Sequence, residues 1–224
     1  MELIPRLFSF ITRTIRASWL SISKGYLKSI MIQYTSQKPY RSKINLCSGS
    51  IRVPGYYSID MVLSADLILD LSKAKLPFKN GSIDSVICIS GINYFSRSQG
   101  KKLVNETYRV LKMGGIARFA VQDLKSLARK YVEGDYEFFF QKLPDGNERL
   151  EGPTLGDKFV SWFYGYPTAG GPCRYFYDYE SLAYIFHDAG FSVVEQKSYL
   201  ESRLSEIEKI DNRPDQMFFL EAVK

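Results

Sequence analysis

From Lys43 onward the sequence alternates short apolar runs with stretches of helical period, which restricts the chain to a mostly parallel sheet joined by crossover helices. The strand-like runs are 44–47, 56–59, 65–69, 83–90, 116–121, 191–199 and 216–223, enough for a complete sheet. Asn80-Gly81 supplies a turn before the fourth run and Met113-Gly114-Gly115 one before the fifth. Between them, residues 99–112 carry Leu103, Val104, Thr107, Tyr108 and Leu111 three and four apart. This spacing predicts an amphipathic helix that packs on the sheet and ends where Gly114 or Gly115 takes a left-handed conformation. These glycines follow a helix rather than a strand, so they read as a structural turn and not as a phosphate cradle.

Residues 43–60 read KINLCSGSIRVPGYYSID: a strand, the small-residue turn Cys47-Ser48-Gly49-Ser50, a second strand and an acid. In a doubly wound sheet such a stretch presents a nucleoside at the carboxyl ends of the first two strands. Small residues let the backbone come close, and the acid accepts hydrogen bonds from ribose hydroxyls. The G-x-G-x-x-G turn of nicotinamide enzymes is missing here, so that class ranks last.

Residues 123–174 depart from the alternation. Asp123 is placed to cap a helix running through Val132, Trp162, Phe163, Tyr164 and Tyr166 form an aromatic run, and 168–172 reads as a glycine loop. Two readings stay open: a hinged aromatic insertion over the carboxyl ends of the sheet, or plain packing of these rings.

The charge is uneven. Residues 1–43 hold eight Lys/Arg against Glu2 alone, while residues 44–224 hold 22 basic and 23 acidic side chains. The basic character therefore belongs to the N-terminal segment, and nucleic acid is not an expected partner of the folded body. Within that segment Phe8, Ile11, Ile15, Trp19, Ile22, Tyr26 and Ile30 share one arc of a helical wheel, with Arg6, Arg13, Arg16, Lys24 and Lys28 opposite. Residues 6–30 thus predict a basic amphipathic helix that packs on the domain, pairs with a second copy or lies on an anionic membrane surface. No run reaches the roughly 18 apolar residues of a spanning helix, and the early arginines interrupt a signal-peptide core. The expected organisation is an extension over 1–42 and one domain over 43–224, with the aromatic insertion at about 123–176. Cys47, Cys88 and Cys173 are widely spaced, without a C-x-x-C pair, and the chain has a single histidine. Neither a disulfide framework nor a metal site is expected, and a reducing, cytoplasmic setting fits.

The order of elements resembles the class I S-adenosylmethionine-dependent methyltransferases, type 11 branch. INLCSGS and VPGYYSID are similar to the branch's first strand, turn and acid. Asp70-Leu71, Leu76-Pro77-Phe78 and Ser82-Ile83-Asp84 match its D-L-x-x-x-L-P-F-x-x-x-S-F-D segment, and 109–115 its R-V-L-K-P-G-G segment. YDYESLAYIFHDAGFSVVEQ and DNRPDQMFFLEAVK resemble its C-terminal helix and closing strand. The resemblance covers residues 43–224 and implies a Rossmann-like doubly wound sheet of seven strands, helices on both faces and an antiparallel last strand.

By position it implies S-adenosylmethionine as cofactor. Leu46, Cys47, Ser48 and Gly49 would form the turn under its methionine part, and Asp60 would bind the ribose. Met61 would lie on the adenine, Asp70 with Leu71 would meet the adenine edge, and Ser90 would face the sulfonium. Cys47 replaces the family's first turn glycine, and a Cβ there either crowds the cofactor or requires φ below zero. The family's Glu and His after the fourth strand are replaced by Ile92-Asn93-Tyr94. His187, beside Asp188 near a helix end, reads as a surface residue. Asn93, Tyr94, Asp123 and Arg174 are then the candidates for handling a small-molecule or saccharide hydroxyl, with Tyr177 on the acceptor side. The other functional class left open is a catalytically degenerate scaffold that binds the cofactor or partner proteins.

Overall fold

The computed structural model describes residues 42–73, 75–143, 146–164 and 172–224. The predicted helix of residues 6–30, Tyr166 and residues 168–171 of the glycine loop lie outside the described residues. Seven strands form one sheet in the order β3-β2-β1-β4-β5-β7-β6. The strands are β1 (Lys43–Leu46), β2 (Tyr57–Asp60), β3 (Leu67–Ile68), β4 (Ile83–Ile89), β5 (Leu111–Gln122), β6 (Val193–Lys197) and β7 (Met217–Val223). β7 runs antiparallel to both β5 and β6, as expected of the last strand. The helices are α1 (Arg97–Val110), α2 (Leu124–Glu133), α3 (Tyr136–Phe139), α4 (Leu155–Tyr164) and α5 (Tyr179–Ala189). No helix among the described residues is long and apolar enough to cross a membrane.

Period-two alternation sends Ile44, Leu46, Val86, Cys88, Phe119, Val121, Phe218 and Leu220 to one face. There they pack on Leu103 and Val104 of α1 and on Leu182, Ile185 and Phe186 of α5. α1 starts at a capping box, the Ser96 hydroxyl accepting from the Gln99 amide and the Gln99 side chain accepting from the Ser96 amide. Asp178 with Ser181 does the same for α5, which ends on left-handed Gly190 with His187 exposed in its last turn.

The end of α1 corrects the sequence expectation. The helix stops at Val110, and Leu111 turns extended at φ −64° and ψ 140° to begin β5. Its orphan carbonyls are served by distant donors. The Lys224 ammonium donates to Tyr108 O at 2.7 Å and Leu111 O at 2.9 Å, while the Gly81 and Ser82 amides donate to Arg109 O and Val110 O. Gly114 does adopt positive φ, 74°, but inside β5, where the register with β4 slips between Ile83 and Ser85. Arg109 ties α1 to the preceding loop by pairing with Glu106 and donating to Leu76 O and Phe78 O, each at 2.8 Å.

On the opposite face, Ile87 packs with Val53, Tyr56, Leu204, Ile207 and Ile210, so the crossover between β6 and β7 folds back over the sheet. Arg118 of β5 is fully buried there. It donates to Asp211 at 2.5 and 3.2 Å, to Glu201 O at 3.0 Å and to Ser198 O at 3.4 Å, stacks over Phe219, and faces Glu221 of β7 at 3.8 Å. Glu221 in turn accepts from Ser202, the Arg203 amide and the Arg203 guanidinium. Arg118→Met would leave the buried Asp211 carboxylate without its charged partner and is expected to cost about 3–5 kcal/mol in urea denaturation. A cost under about 1 kcal/mol, the range of a surface change, would show that the apolar residues alone hold the crossover.

Candidate functional site

The carboxyl ends of β1, β2 and β4 meet at the turn that follows β1. Cys47 and Gly49 both take left-handed backbone at φ 54°. Asp60, the last residue of β2, closes the turn: Oδ2 accepts from the Gly49 amide at 2.9 Å, and Oδ1 accepts from the Met61 amide at 2.6 Å and the Val62 amide at 3.3 Å. A carboxylate has about four lone-pair positions, so Asp60 keeps capacity for hydroxyl donors while holding the two loops together. Met61 is exposed beside it.

Cys47 keeps positive φ, so of the two outcomes expected of a side chain here the one with φ below zero does not occur, and its Cβ finds room against a glycine. A Cβ built on Gly91 would fall 2.4 Å from Cys47 Cβ and 2.9 Å from the sulfurs of Cys47 and Cys88. The Cys88 hydrogen bond first, then burial and the charges of Cys88 and Asp60, push the Cys47 thiol well up, so it stays neutral. Ser90 is also left-handed, at φ 56°, and its hydroxyl accepts from Gln122 Nε2 at 2.6 Å.

Other residues singled out in the sequence sit slightly differently from expectation. The Leu46 and Leu71 side chains are buried in the main core, which leaves only their backbone to a ligand. Asp70 Oδ1 accepts from the Ser72 amide and hydroxyl at 3.1 and 2.5 Å, and Oδ2 pairs with Lys73 at 3.1 Å. Burial raises its pKa, but the Ser72 and Lys73 bonds outweigh it and the net shift is downward, so Asp70 is an anion at neutral pH.

A second cluster gathers at the ends of β4 and β5. Asn93, buried in the 3-10 turn Ile92–Tyr94, accepts through its backbone carbonyl from the Arg174 and Tyr175 amides at 2.7 and 3.2 Å, and its Nδ2 donates to Tyr175 O at 3.1 Å. Asp123 caps α2, as its position predicted, by accepting from the Lys125 amide at 3.0 Å, and its backbone bridges to Tyr177. Residues 172–178 thus lace Asn93 to Asp123, with Arg174 exposed between them. Among the described residues, the buried Asn93 Oδ1, Gln122 Oε1 and Tyr177 Oη find no hydrogen-bond partner. Tyr177 packs in the core on Tyr175, its hydroxyl against Gly100, and burial pushes it up to about 12. The aromatic insertion builds a small core of its own, Leu127, Phe138, Phe139, Leu150 and Trp162, while Tyr164 is exposed.

Two cavities were not foreseen. One of about 180 Å³ lies between Asn45, Cys47, Ser48 and Ile89 on one side and residues 208–213 on the other. A larger one, about 550 Å³, lies between Leu71, Ser72, Lys73 and Lys75 and α1, and touches none of the turn residues. Arg213 is left-handed at φ 51° just before Pro214, and nothing in the DNRPD segment itself ties it to the turn.

The model of the ubiE/COQ5 methyltransferase family matches residues 45–202, more than half of the chain. No curated protein matches the sequence. Among solved structures, an S-adenosylmethionine-dependent methyltransferase from Thermotoga maritima is 18% identical with a TM-score of 0.45, covering 96% of this chain and 97% of that one. One from Archaeoglobus fulgidus is 14% identical with a TM-score of 0.46, covering 89% and 94%. One from Mesorhizobium loti is 11% identical with a TM-score of 0.46, covering 86% and 96%.

Because Gly91 packs directly on Cys47, Gly91→Ala is expected to cost about 1–3 kcal/mol by overpacking. Combining it with Cys47→Gly should recover part of that loss, since both close approaches to Cys47 disappear while the one to the Cys88 sulfur at 2.9 Å remains. Strictly additive effects in chemical denaturation would show that the two positions are not packed on each other.

Proposed function

The chain belongs to the ubiE/COQ5 methyltransferase family, with S-adenosylmethionine as its cofactor, and we propose that it methylates a hydroxyl of a small-molecule or glycan acceptor. The observation that carries the cofactor assignment to particular residues is the Asp60 clasp, which draws the Gly49 amide and the end of β2 into one rim. Asp60 would hold the ribose hydroxyls there, Met61 would cover the adenine, and Asp70 would accept from the adenine amine while its exposed ion pair with Lys73 opens to solvent. The left-handed turn at Cys47 and Gly49, with Gly91 behind it, leaves the backbone open to a closely approaching ligand.

When bound, the cofactor supplies a methyl group already activated on a sulfonium, so the chain's contribution is to orient the nucleophile and exclude water. The acceptor hydroxyl still has to lose its proton. Asp123, just after β5, is the carboxylate that would take it, and Arg174, exposed on the segment that laces Asn93 to Asp123, would hold the acceptor by its oxygens. The unpartnered buried Asn93 Oδ1 supports a ligand that donates hydrogen bonds, as a hydroxyl does. Tyr94 follows Asn93 in the same turn and would wall the acceptor side, with the aromatic insertion of 123–176 over it.

Titration calorimetry with S-adenosylhomocysteine tests the assignment. The wild type should bind, and Asp60→Asn, which removes the charge that accepts from the ribose, should weaken binding about 10-fold or more. Absence of binding at millimolar ligand would sink the cofactor-site reading, and equal affinities would remove Asp60 from it.

A further inference from the structure

The larger cavity, about 550 Å³, lies where the loop after Asp70 faces α1, and its charged lining is Lys73, Lys75, Lys102 and Glu106. We propose that it binds the phosphate group of a small anion, and that filling it draws Lys73 off Asp70. The site itself requires no cofactor; only its coupling rests on the placement of Asp70 at the adenine edge.

The balance of charge in the lining is positive. Glu106, its one carboxylate, is spent: Oε1 accepts from Arg109 Nε at 2.8 Å, and Oε2 from Arg109 Nη2 at 2.7 Å and the Leu76 amide at 2.9 Å. Lys75 helps to draw the Glu106 carboxyl down, behind the larger effect of Arg109, yet neither Lys75 nor Lys102 forms an ion pair among the described residues. The surplus is local, because residues 44–224 together hold 22 basic and 23 acidic side chains. Its chemistry is selective as well. A carboxylate is matched by the flat fork of an arginine, whereas a phosphate takes point charges from several sides, as lysines supply. Ser72 and Asn105 add neutral hydrogen-bonding groups to the same lining. The volume falls in the range of small-molecule pockets, so it has room for a phosphorylated compound and not only a lone ion.

Lys73 connects this cavity to the nucleoside rim. It lines the cavity and also pairs with Asp70 Oδ2 at 3.1 Å, with its own side chain 80% exposed. An ion pair so open to solvent is weak, so Lys73 changes partner at little cost when a multiply charged anion enters. Asp70 stays aimed after the exchange, because the Ser72 amide and hydroxyl still hold Oδ1 at 3.1 and 2.5 Å. Its vacated Oδ2 then accepts from the adenine amine without competition. Since the exchange works in either order, anion and cofactor each tighten the binding of the other.

The test is calorimetry on the full chain, without divalent cations, using inorganic pyrophosphate and glucose 1-phosphate as probes. Tighter pyrophosphate assigns the cavity to free polyphosphate, and tighter glucose 1-phosphate to a phosphorylated small molecule; either supports the site. Lys75→Gln and Lys102→Gln, both changes of exposed side chains, should each weaken the better probe about 5-fold or more while leaving the thermal midpoint in place. That probe should also tighten S-adenosylhomocysteine about 5-fold in the wild type and leave it unchanged in Lys73→Gln, where Asp70 is free from the start. Binding of neither probe overturns the site, as does binding that both variants leave intact, which is the result if the basic N-terminal segment captures the anion. A probe that binds through these lysines without moving the affinity for S-adenosylhomocysteine overturns the exchange at Asp70. A chain that binds the probe but no S-adenosylhomocysteine overturns the cofactor placement and the coupling with it, and leaves the anion site standing.

Discussion

The buried pair of Arg118 and Asp211 is the interaction on which the second face of the molecule depends. A guanidinium without solvent contact in the middle of a sheet is costly unless every donor is used. Here the donors go to Asp211, Glu201 O and Ser198 O, all on the crossover that follows β6. Replacing such a cluster with apolar side chains would serve stability equally well; what the charges add is position. An apolar crossover could slide over Ile87 and Tyr56, whereas one tied to Arg118 has a single register and delivers residues 208–213 to the rim of the turn after β1.

At that rim the chain accepts strain and offsets it by local fit. Cys47 stands at positive φ with a side chain, and Gly91 is the complement that makes room for it. Asp60 spends part of its bonding capacity on the Gly49 and Met61 amides, which makes it an organiser of the rim as well as a candidate ligand group. Cys47 therefore holds its left-handed conformation with its side chain packed on Gly91, just past the end of β4.

The cluster at the ends of β4 and β5 is organised by backbone rather than by side-chain pairs. Residues 172–178 lie across the ends of β4 and β5 through bonds to Asn93 and Asp123, so candidate groups separated by up to about eighty residues share one corner. Among the described residues the buried amide oxygens of Asn93 and Gln122 find no hydrogen-bond partner, and a buried acceptor left so costs about 1–3 kcal/mol.

The sequence by itself determined the strand order of appearance, the amphipathic α1, the capped start of α2, the exposed His187, and the turn with its acid at Asp60. Each of these is written in spacing of two, three or four residues, so a local reading recovers it. Only the tertiary structure decided where α1 ends, because its cap is the ammonium of Lys224 rather than a neighbouring glycine. It also decided that Gly91 is the counterpart of Cys47, that Leu46 and Leu71 face the core, and that the β6–β7 crossover walls the cavity beside the turn. These rest on contacts between residues tens to more than a hundred positions apart, and no periodicity along a chain encodes which distant segment will fill a space that the sheet creates only once it has closed.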